Sequence, residues 1–171
     1  MKEHHSVDDI LLFCRNNWPE TDTPEHRYIL HLHRLSEQES LRTGRTIQQY
    51  GLSLTEFDIL ATLRRSAPPH ILNPTELQRS TLLSSGGQTK VLYQLEERKL
   101  IKRSVCKEDK RSKLVHLSGK GKTLIEKAMK ETLGNRETSV RAAGMSKKEL
   151  DLLSGLLGKL LRGIETTEQG T

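Results

Sequence analysis

Residues 72–117 read LNPTELQRSTLLSSGGQTKVLYQLEERKLIKRSVCKEDKRSKLVHL, and the fold is decided there. Asn73-Pro74-Thr75-Glu76 is a helix start: Asn is a good N-cap, Pro is preformed for the first helical position, and Glu three residues on can bond back to the cap. Leu72 and Leu77 flank it at hydrophobic-staple spacing. Leu83 and Ser84 repeat the signal and open a second helix that turns Val91, Leu92 and Leu95 inward. About ten residues separate the two caps, room for two helical turns and a tight corner, which is helix-turn-helix spacing. The second helix is expected to end near Arg98-Lys99. Ile101–Val105 then alternates, residues 107–110 form a polar turn, and residues 112–117 read as the returning strand. Helix, turn, helix and hairpin make a winged helix.

The run from Leu83 to Gly121 resembles the DNA-binding core of the MarR family of transcriptional regulators. The likeness lies in a Ser/Thr-rich helix start, Leu95-Glu96-x-x-x-Leu100 at the helix end, Asp109-x-Arg111 in the wing, and Leu117-Ser118-x-x-Gly121 at the exit. Upstream, YGLSLTEFDILATLRRSAPPHILNPTEL (residues 50–77) is similar to the PecS-like branch of that family. One departure stands out, because the family's usual Gly after the recognition helix is Lys99. The resemblance implies a mainly α protein with a small β-wing, a winged helix-turn-helix with N- and C-terminal dimerisation helices. The expected division is residues 1–51 for dimerisation and hinge, 52–121 for the DNA-binding lobe and 122–171 for C-terminal dimerisation helices.

Composition agrees with that division. Of 171 residues only 33% are apolar, a thin supply for a self-sufficient core, so a partner chain is expected to complete some apolar surface. The formal charge is +6, and between Lys90 and Lys113 nine basic residues face four acidic ones, which concentrates about +5 there. That is the footprint of a polyanion-binding surface; the competing reading is a merely solvated charged face. No apolar run reaches membrane-span length, and Met1-Lys2-Glu3-His4-His5 leads into no signal-peptide core. Two cysteines make no disulfide framework, and the chain is expected in the cytoplasm.

Elsewhere, Ser6 is expected to cap a first helix ending near Asn16-Asn17, and Thr23-Pro24 a long second one reaching Tyr50-Gly51. Ser53-Leu54-Thr55-Glu56 is a capping box for a helix that buries Phe57, Leu60 and Leu63 and stops at Ala67-Pro68-Pro69. Ser118 caps another helix, whose end the sequence leaves open, because Gly134-Asn135 and Gly144 interrupt a polar stretch. Ser146 with Glu149 opens the last, whose leucine stripe exceeds what one small neighbour covers. Ile10 and Leu11, with Leu150, Leu153, Leu157, Leu160, Leu161 and Ile164, are therefore read as a homodimer interface. The alternative is a helix folded back on its own domain.

A recognition helix sends its N-terminal polar side chains to base edges and phosphates. The DNA-facing candidates are Ser84, Ser85, Gly86, Gly87, Thr89, Lys90 and Gln94, joined from the wing by Lys107, Lys110, Arg111 and Lys113. Gly86-Gly87 either lets DNA backbone approach closely or makes a tight corner. Asp109 is assigned to wing structure, and Arg111 is shared between that role and DNA. No Gly-rich phosphate loop, His-Glu-x-x-His or Cys-x-x-Cys is present, so neither catalysis, cofactor nor metal is expected; His31 and His33 diverge on a helix. The resemblance also implies an effector pocket for a small aromatic ligand. PecS-like regulators, some answering to urate or phenolic ligands, use a Trp near the first helix end and an Asp after Glu-Phe; Trp18 and Asp58 match, while the companion Arg falls at Val91. The bland readings are a packing anchor and a solvated helix residue. The resemblance also implies a redox-sensing alternative at Cys14, beside Arg15, since some peroxide-responsive members of the wider family carry a sensing Cys in the first helix. A winged helix used as a protein-interaction module is the rival from another class.

Overall fold

The computed structural model describes residues 4–81, 88–105 and 113–169. Among these, seven α-helices occur, and six open on a Ser, Thr or Asn whose side chain accepts a first-turn backbone N–H. These are α1 (Val7–Asn17, cap Ser6), α2 (Pro24–Gln48, cap Thr23), α3 (Leu54–Arg65, cap Ser53), α4 (Pro74–Ser80, cap Asn73), α6 (Gly119–Ala142, cap Ser118) and α7 (Lys147–Gln169, cap Ser146). The seventh, α5 (Gln88–Glu97), begins beside residues outside the described set, so its expected cap Ser84 and staple Leu83 lie outside it too. Ser6–Asp9, Ser53–Glu56, Asn73–Glu76 and Ser146–Glu149 are complete capping boxes, carboxylate answering cap N–H. Each cap contributes about 1 kcal/mol and, more usefully, fixes where a helix starts.

Three antiparallel strands lie in the order β1-β3-β2: β1 (Ile71–Leu72), β2 (Ile101–Val105) and β3 (Lys113–Leu117). The hairpin pairs Ile101 with Leu117, Arg103 with Val115 and Val105 with Lys113. Strand β1 is not anticipated by the sequence reading. It is two residues long, too short for any alternation to show, and it exists because Ile71 and Leu72 pair with His116 and Val115 of β3.

The chain divides into two compact units, Met1–Met129 and Lys130–Thr171, with the boundary inside α6. In the first unit, the core gathers Ile47 from α2, Ile59, Leu60 and Leu63 from α3, Leu77 from α4, Leu92 and Leu95 from α5, Val115 from β3 and Ile125 from α6. Helix α3 lies at its centre. Every residue from Glu56 to Leu63 is buried, not only the expected Phe57, Leu60 and Leu63, because α2, α4, α5 and β3 all pack on it. Its buried polar groups are accommodated by partners: Arg98 Nη1 donates to Glu56 Oε1 at 2.7 Å, and Arg65 Nη2 donates to Thr62 Oγ1 at 2.7 Å.

In the second unit, α6 runs on through Gly134 and Asn135 to Ala142, an end that the sequence leaves open. One interior Gly costs about 1 kcal/mol and does not break a helix with good formers on both sides. Helix α7 keeps Leu150 and Leu160 half-buried, while Leu152, Leu153, Leu156, Leu157, Leu161 and Ile164 are exposed.

Candidate nucleic-acid interface

Helix α5 is held from behind. Leu92 and Leu95 are buried and Val91 is half-buried, so the helical period leaves Thr89, Lys90, Tyr93 and Gln94 on the exposed arc. The structure thus brings three of the expected contact residues, Thr89, Lys90 and Gln94, onto one outward face. Lys113 is exposed at the start of β3, opposite Val105. Ser84, Ser85, Gly86, Gly87, Lys107, Asp109, Lys110 and Arg111 lie outside the described residues.

The far end of α5 closes in a Schellman motif. Lys99 N–H donates to Glu96 O at 2.8 Å and Leu100 N–H to Leu95 O at 2.9 Å, with Leu95 and Leu100 both buried. Lys99 occupies the left-handed position (φ 60°) that glycine normally fills. Ser118 then ties this end to α6: its Oγ lies 2.8 Å and 2.9 Å from the carbonyl oxygens of Lys99 and Leu100, and accepts Gly121 N–H at 2.9 Å. A Cβ on Gly121 would stand 2.1 Å from the Leu100 carbonyl oxygen. The Leu117-Ser118-x-x-Gly121 word is therefore a packing joint between α5 and α6.

Two of the basic residues counted toward the polyanion surface are engaged inside the lobe. Arg98 is paired with Glu56, and Arg103 with Glu96. Arg103 Nε donates to Glu96 Oε2 at 2.6 Å, its backbone N–H donates to Glu96 Oε1 at 3.1 Å, and its guanidinium lies 4.0 Å from the centre of the Tyr93 ring. The hydrogen bond from Arg103 holds the Glu96 carboxyl below the usual glutamate range, and the same bond raises the Arg103 guanidinium. Sequence reading missed this cluster; its only trace is an acid at a helix end and an arginine seven residues on. Lys90, Lys99, Lys102 and Lys113 remain exposed.

The effector candidates stand on different helices. Trp18 closes α1, its N–H donating to Cys14 O at 2.8 Å, and its side chain is exposed. Asp58 is buried in α3, with Oδ1 3.8 Å from Arg65 Nη2; that nitrogen also donates to Ser80 O, the last carbonyl of α4, at 2.5 Å. Cys14 is half-buried. Of the interface candidates on α1, Ile10 is half-buried and Leu11 is buried within its own chain. Among the described residues no three His, Cys, Asp or Glu side chains gather as metal ligands, and no helix is long and apolar enough to cross a membrane.

A family model described as "MarR family" matches residues 50–112, the span from the end of α2 to the wing. The HTH-type transcriptional regulator PecS of Dickeya dadantii (strain 3937) is 29% identical over 160 residues, covering 94% of this chain and 95% of that protein. Among solved structures, the Streptomyces coelicolor MarR family regulator Sco3205, in complex with DNA, superposes with a TM-score of 0.71 at 17% identity over 82% of this chain and 88% of that one. The S. aureus MepR–DNA complex gives 0.68 at 20% identity, over 80% of this chain and 97% of that one.

Proposed function

We propose that this chain, which belongs to the MarR family of winged-helix transcriptional regulators, is a cytoplasmic repressor that binds a pseudo-palindromic DNA site as a homodimer. The observation that carries the reading is the outward row Thr89, Lys90 and Gln94 on a helix anchored from behind by Leu92 and Leu95. Such a row enters a major groove, where Lys reaches guanine O6 and N7 or a phosphate and Gln matches adenine N6 and N7. Ser84, Ser85, Gly86 and Gly87, which precede it in sequence, are proposed as further contacts. From the wing, Lys107, Lys110, Arg111 and Lys113 are proposed as phosphate contacts, with Asp109 in a structural role. Residues 52–121 form the reader, and the segments before and after it join two copies through α1 and the leucine face of α7. Two recognition helices must then meet half-sites about one helical turn apart, so whatever alters their spacing alters affinity.

Selection of duplexes from a random pool by the purified protein tests the class and the symmetry together. A recovered palindrome, bound with steep salt dependence, supports the reading; no enrichment overturns it. Lys90→Ala should then weaken binding to the recovered site by about 1–3 kcal/mol, read by gel shift, without changing the thermal midpoint.

Release of the repressor is assigned to a small aromatic ligand at Trp18 and Asp58. With Val91 where the related pocket has Arg, a neutral or weakly acidic aromatic fits better than a firm anion, and Asp58 would accept its N–H or O–H. Fluorescence of Trp18, the single tryptophan, should respond to such a ligand. Asp58→Ala should cost roughly 1.5–3 kcal/mol of its affinity. Equal responses in both chains remove Asp58 from the site, and silence across a panel of phenols and aromatic acids removes the pocket.

A further inference from the structure

We infer that Glu96 and Arg103 are positioning residues that lock the wing hairpin to the recognition helix, so that both meet DNA as one preorganised surface; this rests on the DNA-binding reading above. Glu96 is on the last turn of α5 and Arg103 at the centre of β2. One carboxylate grips both the strand's backbone and its side chain: Oε1 accepts Arg103 N–H at 3.1 Å while Oε2 accepts Nε at 2.6 Å. The guanidinium closes the triangle over the Tyr93 ring at 4.0 Å, on the helical turn before Glu96. Arg103 pairs with Val115 of β3, so the grip extends across the hairpin to the strand that begins at exposed Lys113.

The side chains are only partly exposed, 16% for Arg103 and 35% for Glu96, which shields the pair more than a surface ion pair. Hydrogen bonding lowers the carboxyl's pKa and raises the guanidinium's, as expected of two groups that hold one another charged. An acid beside a polyanion-binding face is otherwise a liability: on charge alone, its removal strengthens binding. Its presence makes sense if it holds an element that contributes more phosphate contacts than the charge repels.

That opposition of sign is the test. Full-length parent, Glu96→Gln, Arg103→Gln and the double variant are titrated with the recovered duplex by fluorescence anisotropy over a range of salt. We expect Glu96→Gln to bind about tenfold or more weakly, with a log–log salt slope shallower by about 1–2, each lost phosphate contact accounting for about 0.9. The double variant should be no worse than Arg103→Gln, because the pair acts as a unit. Binding by Glu96→Gln that equals or exceeds the parent's overturns the inference. Hydrogen exchange reads the lock without DNA: amides of residues 101–105 and 113–117 should exchange faster in Glu96→Gln while α3 amides stay protected. Unchanged hairpin exchange also overturns it. A parent that binds no duplex fails the DNA reading instead, and the exchange result then stands on its own.

Discussion

In α3 every residue from Glu56 to Leu63 is buried, whereas on α7 Leu152, Leu153, Leu156, Leu157, Leu161 and Ile164 stand 39–62% exposed. The second helix carries more leucine than the first, so composition does not decide which one is covered. Neighbours do. Helix α3 is surrounded by α2, α4, α5 and β3, and even its buried Glu56 and Thr62 have hydrogen-bond partners, Arg98 just past α5 and Arg65 on α3 itself. Fully burying one leucine contributes about 1.5–3 kcal/mol relative to leaving it wet, so six half-wet apolar side chains forgo a large part of what the sequence supplies. The proposed homodimer is the arrangement that recovers it.

The largest test of that contrast removes one side of it. Ending the chain after Gly144 deletes α7 and should give a monomer by light scattering. Losing the second reading head should weaken operator binding by about 10²–10⁴-fold. A truncated protein that remains dimeric places the interface elsewhere and dissolves the comparison.

A smaller test compares one leucine from each helix. Leu60→Ala, at a position with 0% exposure, should cost about 2–5 kcal/mol in urea unfolding at any protein concentration. Leu157→Ala should cost within about 0.5 kcal/mol in dilute protein, as an exposed site does, and lower the thermal midpoint progressively as concentration rises. Equal, concentration-independent losses would mean that α7 is a core helix of its own chain.

The smallest effect shows that the covered region is not optimised throughout. Lys99 holds φ at 60°, a conformation that costs a side-chain-bearing residue about 1 kcal/mol or more. Lys99→Gly should return about 1 kcal/mol of stability, read as a higher urea midpoint with an unchanged m-value. No gain would mean that the Lys99 side chain already offsets the strain.

Helix starts were legible because caps act over three residues. Ser6, Thr23, Ser53, Asn73, Ser118 and Ser146 all stand where their helices begin. The exposed face of α5 was legible for a related reason: once Leu92 and Leu95 point inward, the helical period leaves Thr89, Lys90 and Gln94 outside. What depends on chain segments meeting was hidden. Ile71 and Leu72 become a strand only because β3 arrives beside them, and Arg98 finds Glu56 from 42 residues away. Asp58 was recognisable as a residue type, but Arg65 facing it, with a hydrogen bond to the end of α4, was not. Gly134 left the end of α6 undecided in the sequence, because one glycine is a weak breaker inside an otherwise favourable helix.

Gly121 sets a limit on how this sequence can drift. The space beside its α-carbon is closed by the Leu100 carbonyl oxygen, 2.1 Å from where a methyl group would sit, and that atom belongs to backbone that cannot swing aside. Of its neighbours, Lys122 is exposed, and Lys120, also exposed, donates from Nζ to Arg98 O at 3.1 Å. In a lineage accumulating substitutions, or a saturation library selected for folding alone, position 121 would stay a single letter while exposed position 122 scatters. The residue enforcing that silence lies in the turn that ends the recognition helix.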